Sequence, residues 1–164
     1  MTVSEYIKLQ ARLLEWEAPK WFSNKLEGYE KGDYMWVTNH MVIVRIPLVY
    51  YTLNMPLLDG IERFTKLPDE AVKGWLTETR FKDKEEGMLV RAEAIGTEAW
   101  VKEKYIKLFG KADKYDVWII QKVIWLTEPD TKEVIGVIAG VRGINERLEE
   151  LRKRNKKGDK NGRN

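Results

Sequence analysis

The sequence predicts an α+β protein with a mainly antiparallel sheet, and three observations predict it. Apolar β-formers fill Val117 to Leu126 and Val134 to Val141, separated by Thr127 to Lys132 with Pro129-Asp130 between them. Pro presets φ and Asp bonds its own backbone, so this pair reads as a hairpin. Two more hairpins follow from pattern: Tyr34 to Ile46 about Asn39-His40, and Thr77 to Lys82 with Met88 to Ile95 about Asp83 to Gly87. Helical spacing at the amino terminus and after Trp100 completes the class.

The first helix carries its own start signal. Thr2-Val3-Ser4-Glu5 has the spacing of a capping box, in which hydroxyl and carboxylate each satisfy a backbone amide. Tyr6, Leu9, Leu13 and Trp16 then recur at three and four residues, Ile7 and Leu14 widen the apolar stripe, and Pro19 marks the end. Lys8 and Arg12, flanked by Glu5 and Glu15, form its solvated face.

In the hairpin about Asn39-His40, Asn is the residue expected to take the left-handed turn conformation. Residues 48–74 are punctuated by Pro56, Gly60, Pro68 and Gly74 and read as an irregular connector with short helices. It joins halves at about residues 1–47 and 77–144 within a single domain, 1–151. In the second half a short helix from Lys102 to Phe109 stops at Gly110. Val101, Tyr105 and Leu108 share its apolar side, and Lys104, Lys107 and Lys111 form a basic patch on another. Val117 to Leu126 has apolar residues on both faces and so reads as a central strand covered on both sides.

Composition narrows the function. Among 164 residues there is no cysteine and one histidine, His40, so thiol catalysis and disulfides are excluded and a zinc site has no ligand set. No nucleophile elbow or phosphate-cradling glycine loop is present, and no catalytic residue, cofactor or metal is assigned. No apolar run reaches the roughly 20 residues of a membrane helix, and a cytoplasmic protein without membrane contact is expected.

The formal net charge of +3 is a property of one end. Residues 152–164 hold Arg152, Lys153, Arg154, Lys156, Lys157, Lys160 and Arg163 against the single acid Asp159, leaving more acids than bases in the body. A helix from Ile144 to Arg154 is expected to lead into a basic disordered tail, 152–164. Arg152, Lys153, Arg154, Lys156 and Lys157 are its candidate phosphate contacts.

The element order suggests a family. The second half reads strand, helix, then three strands if Val117 to Leu126 bends near Gln121-Lys122, and the first half supplies a helix followed by strands. This repeat resembles one domain of the DNA sliding clamps, built from two such strand-helix-strand units. Trp36-Val37-Thr38-Asn39-His40, Trp100 to Ile106 and Val137 to Arg142 carry the likeness. His40 stands where bacterial clamps have Gly in the first of these, and Ala139-Gly140 where they have Met-Pro in the last. Small phage and mobile-element proteins with one clamp-like domain are similar too. The resemblance implies a non-catalytic module associated with DNA or replication proteins, with Lys104, Lys107 and Lys111 on a DNA-facing helix.

Two alternatives stand beside it. A phage-type inhibitor or adaptor of a host enzyme or defence system would use aromatic anchors from Tyr50, Tyr51, Trp75 and Trp100 in a chain with seven Trp. A carboxylate-dependent hydrolase would need paired acids in one cleft. Partners are therefore DNA or a host or replication protein, with self-association through sheet edges as a further route.

Overall fold

The structure, a computed structural model, describes residues 1–15 and 26–161, with side chains through Lys157. Trp16 and Pro19, expected at the end of the first helix, lie outside the described residues. In chain order the elements are α1 (Val3–Glu15), β1 (Glu27–Lys31), β2 (Tyr34–Thr38), β3 (Val42–Pro47), β4 (Val72–Asp83), β5 (Gly87–Ala94) and β6 (Thr97–Lys102). Then follow α2 (Glu103–Ile106), β7 (Asp116–Ile120), β8 (Val123–Thr127), β9 (Val134–Ala139) and α3 (Ile144–Asn161). The strands form one sheet in the order β1-β2-β3-β9-β8-β7-β4-β5-β6, every neighbouring pair antiparallel. The α+β class stands.

The capping box closes α1 as its sequence requires: Thr2 N donates to Glu5 Oε2 at 2.5 Å and Glu5 N to Thr2 Oγ1 at 3.2 Å. Leu9 and Leu13 are buried, but Ile7 and Leu14 are exposed, so the widened stripe is not used. The buried edge instead holds Gln10, which accepts from Thr52 N at 2.8 Å and donates to Tyr50 O at 2.8 Å.

One unit occurs twice. A helix precedes β1-β2-β3, and another precedes β7-β8-β9. β1 and β7, and β2 and β8, correspond at a constant offset: Glu27 with Asp116, Tyr29 with Trp118, Trp36 with Trp125, Thr38 with Thr127. β3 and β9 lie edge to edge, and an antiparallel pair has a local two-fold normal to the sheet. It passes through the pair Val44 and Gly136, so each unit keeps the same face inward. On the inner face Leu9 and Leu13 from α1 and Tyr105 and Ile106 from α2 join Val37, Val44, Leu126 and Ile138 in one core. On the outer face Trp36 and Trp125 share a second cluster.

Val117 to Leu126 is not one strand. Gln121 (φ 49°) and Lys122 (φ 65°) form a two-residue turn between β7 and β8. Positive φ at both central positions gives the mirror-type turn whose twist suits a hairpin, though neither residue is the Gly or Asn that favours it. β8 is fifth of the nine strands, with Ile124 facing the inner core and Trp125 the outer. At the other hairpin the left-handed residue is His40 (φ 71°), not Asn39. Asn39 Oδ1 instead accepts from Met41 N and Val42 N at 2.9 and 3.0 Å.

β1 carries no strand signal in the sequence, because EGYEK offers no apolar alternation. The connector packs on the outer face through Ile61 and Leu67, and Phe64 stacks on Trp125 at 5.8 Å. Leu58 N donates to Gly28 O and Gly28 N to Pro56 O, which occupies part of the β1 edge. At the opposite edge Val141 N donates to Trp100 O at 2.7 Å. Residues 152–161 continue α3 rather than forming a disordered tail. Acids Glu146, Glu149 and Glu150 outnumber Arg147 before Leu151, and bases outnumber Asp159 after it, which complements the helix dipole. Glu149 with Lys153 and Glu150 with Arg154 also have i,i+4 spacing.

No helix is long and apolar enough to cross a membrane among the described residues.

Candidate nucleic-acid interface

Two cationic surfaces arise from the fold. The first covers the helices on the inner face. Tyr105, Ile106, Leu108 and Phe109 are buried and fix the rotation of α2 and the turn after it. That rotation leaves Lys104, Lys107 and Lys111 exposed, as their spacing predicts. Glu103 tempers the patch: its carboxylate lies 3.1 Å from Lys107 Nζ and 3.8 Å from Arg80 Nε. The Lys104 ammonium stands 5.1 Å from the Tyr105 ring centroid, and partial desolvation, then the neighbouring Lys102 charge, hold its pKa below the ordinary lysine range.

α1 packs on the same face of the sheet, with Leu9 and Leu13 in the core that also holds Tyr105 and Ile106. The pKa of the Glu5 carboxyl is lowered first by the Thr2 backbone amide and Thr2 hydroxyl, with Lys114 adding a smaller electrostatic pull. Lys8, Arg12 and Lys114 are also exposed on these inner-face segments, and so are the acids Glu5, Glu15 and Asp113. Sequence spacing finds the α2 lysines but cannot tell that α1 shares their face of the sheet, which only the common core establishes.

The second surface is the far half of α3. Its near half is tied down: Ile144 and Leu148 pack with Leu89 and Trp100, Arg147 Nη1 donates to Asp83 Oδ1 at 2.7 Å, and Asn145 Nδ2 to Glu98 Oε1 at 2.6 Å. Beyond Leu151 every described side chain is exposed, including Arg152, Lys153, Arg154, Lys156 and Lys157. The 18-residue helix spans about 27 Å, and these bases lie along its outer part as a helical arm.

The aromatic candidates separate. Trp100 is only 6% exposed, beneath α3, and cannot serve as a surface anchor. Tyr50 is half-buried and stacks on Tyr6 at 5.7 Å. Tyr51 is half-buried too, and burial raises its phenol pKa. Trp75 alone of the four is exposed, at 51%.

Sequence reading missed a cavity of about 350 Å³ between the outer sheet face and the connector, lined by His40, Met41, Ile43, Ile61, Arg63 and Phe64 among others. It joins residues distant in sequence, and only the docking of the connector creates it. His40 Nε2 lies 3.3 Å from Glu27 Oε2 at its margin. Among the described residues no group of three or more His, Cys, Asp or Glu is placed to hold a metal ion.

Comparison with protein-family models, with curated proteins and with solved structures finds no match to this chain.

Proposed function

We propose that the chain is a non-catalytic, clamp-like binding module that associates with DNA or with replication proteins, of the kind a phage or mobile element would carry. The observation that carries this reading is the doubled unit: two helix-plus-meander copies joined through β3 and β9, with both helices on one face of one sheet. The bases on that face and on the α3 arm supply the phosphate contacts a DNA partner needs.

A second reading, a protein-binding inhibitor or adaptor, is favoured by the outer-face cavity with the exposed Met41 at its rim, together with exposed Trp75.

Duplex DNA binding measured against salt separates the two. The comparison is between the full chain, a variant with Arg152, Lys153, Arg154, Lys156 and Lys157 changed to Gln, and a variant with Lys104, Lys107 and Lys111 changed to Glu. The clamp-like reading expects binding that weakens steeply with salt and weakens again in the lysine-to-glutamate variant. Removing one cation that neutralises a phosphate should flatten the slope of log K against log salt by about 0.9. Absence of binding by the full chain at low salt would turn the reading to the adaptor.

A further inference from the structure

We propose that the outer sheet face between the connector and α3 is a stacking site for an unpaired base of a single-stranded nucleic acid. Trp125 of β8 is covered there by the connector through Phe64, and Trp100 of β6 by α3 through Ile144. Between these two coverings run β7 and β4, which carry Trp118 and Trp75. Trp118 is half-buried and Trp75 is 51% exposed, although β4 is an interior strand with β7 on one side and β5 on the other. An isolated apolar side chain at the surface is ordinary, but an indole left open beside a second one in the middle of a sheet marks a contact surface.

The strand register fixes how these groups meet. Lys73 stands directly across from Trp118, and its Nζ lies 5.9 Å from the Trp118 ring centroid. Trp75 follows two residues later on the same face, while Leu76 packs toward the inner core. Trp75 is therefore the diagonal neighbour of Trp118, about 7–8 Å away along the sheet, a separation that aromatic and long side chains span. The Trp118 ring is fixed in place, because its Nε1 donates to Oγ1 of the buried Thr127 at 3.0 Å.

Charge selects the occupant. Lys132, from the turn between β8 and β9, places its Nζ 6.0 Å from the same Trp118 centroid, so ammonium groups from two separate elements converge on one ring. Of the nearby acids, Asp116 lies 3.6 Å from Lys73 Nζ and accepts from Asp130 N, and Glu93, across from Trp75, lies 3.1 Å from Arg91. Asp130 and Glu133, exposed in the turn that carries Lys132, are the acids that oppose a phosphate. A neutral sugar or an apolar peptide would use the open indole and leave both ammoniums without a counterpart. A nucleotide uses all of them, its base on Trp75 and its phosphate on Lys73 and Lys132. Paired bases hide their π-faces in the stack, so the strand must be single.

Fluorescence anisotropy of a short labelled oligothymidylate measures binding to the full chain. Trp75→Ala should weaken it about tenfold or more, and Trp75→Phe should retain most of the affinity. Lys132→Gln should flatten the slope of log K against log salt by about 0.7, the single-strand value for one phosphate. Both positions are exposed, so these variants keep the fold. In ¹H–¹⁵N spectra of the full chain, saturable shifts are expected at the Trp75 and Trp118 indoles and not at Trp36, three strands from the nearer of them.

An abasic strand of the same length keeps the phosphates and lacks the bases. Weaker binding of that strand supports stacking, and equal binding would overturn it. Undiminished affinity in Trp75→Ala, or no binding of oligothymidylate by the full chain at low salt, would overturn the site as well. The site does not rest on the clamp-like reading, which concerns duplex DNA on the helix-bearing face. Single-strand binding that survives Lys104→Glu, Lys107→Glu and Lys111→Glu together but not Trp75→Ala supports it whatever the duplex result. The reverse pattern would assign the strand to the helix face and remove the outer site.

Discussion

Trp36 and Trp125 occupy the same position in the two copies of the meander. Each is third in the middle strand, faces the outer cluster, and stands directly across from an aromatic of the preceding strand, Tyr29 for Trp36 and Trp118 for Trp125. Two residues further along, Thr38 and Thr127 are both buried, at 3% and 0% exposure. Duplication of a pattern at this depth means that each tryptophan anchors its own meander.

Trp36→Ala and Trp125→Ala should therefore each cost about 3–5 kcal/mol of stability, as large-to-small core changes do. The two side chains lie three strand spacings apart, about 14 Å, but share one cluster, so the double variant should depart from the sum by about 0.5 kcal/mol or more. Urea unfolding of both single variants and the double measures this. A loss near zero at either position would show that the copies are not energetically equivalent.

Gly136 sits where the copies meet, and it has no freedom to be anything larger. A Cβ there would stand 2.1 Å from Phe109 Cε1 and 3.0 Å from Ile43 O. The missing side chain is the space that the ring from the segment after α2 fills against the sheet. Gly136→Ala is expected to lower stability by about 1–3 kcal/mol by overpacking. Adding Phe109→Leu should cost less in the Gly136→Ala background than in the wild type, because the smaller side chain relieves the clash. Equal costs in both backgrounds, from thermal melts of the four proteins, would place the strain elsewhere.

The same residues explain what the sequence could disclose. Val134 to Ala139 and Tyr34 to Ile46 are legible because their apolar β-formers are bounded by turn residues with a local mechanism, Pro129-Asp130 and Asn39. The Gln121-Lys122 turn carries no Gly, Pro or Asn signal, so the residues read as one strand and only the clamp resemblance asks for a bend there; tertiary contact through Gly140 N holds the turn. β1 is invisible for the opposite reason, a strand of Glu, Gly, Tyr and Lys made viable by pairing with β2 on one edge and by Pro56 and Leu58 on the other. Of the candidate surface, Lys104, Lys107 and Lys111 are legible from helical spacing. The burial of Trp100 beneath α3 is not, since it depends on where a helix more than forty residues later comes to rest.

Acid should release α3 before the sheet unfolds. Asp83, at 6% side-chain exposure, accepts from Arg147 and from the amides of Glu85 and Glu86. Its carboxyl pKa is held below the ordinary aspartate value, chiefly by the Arg147 hydrogen bond. The Glu98 carboxyl is lowered likewise, first by Asn145 and then by Arg91. Both tie α3 to the sheet. A carboxyl whose folded pKa is depressed contributes stability that is complete above its unfolded pKa and disappears as pH falls through the folded value. The loss therefore falls below about pH 4, the unfolded range for these groups. Amide exchange in α3 should accelerate there while β8 and β9 stay protected. Asp83→Asn keeps an acceptor for the turn amides but removes the charge, so it should weaken α3 by about 1–2 kcal/mol at neutral pH, a modest figure because Arg147 is partly exposed. The variant should also show less acid sensitivity than the wild type. Exchange in α3 that accelerates in acid equally in both proteins would shift the control to Glu98 alone.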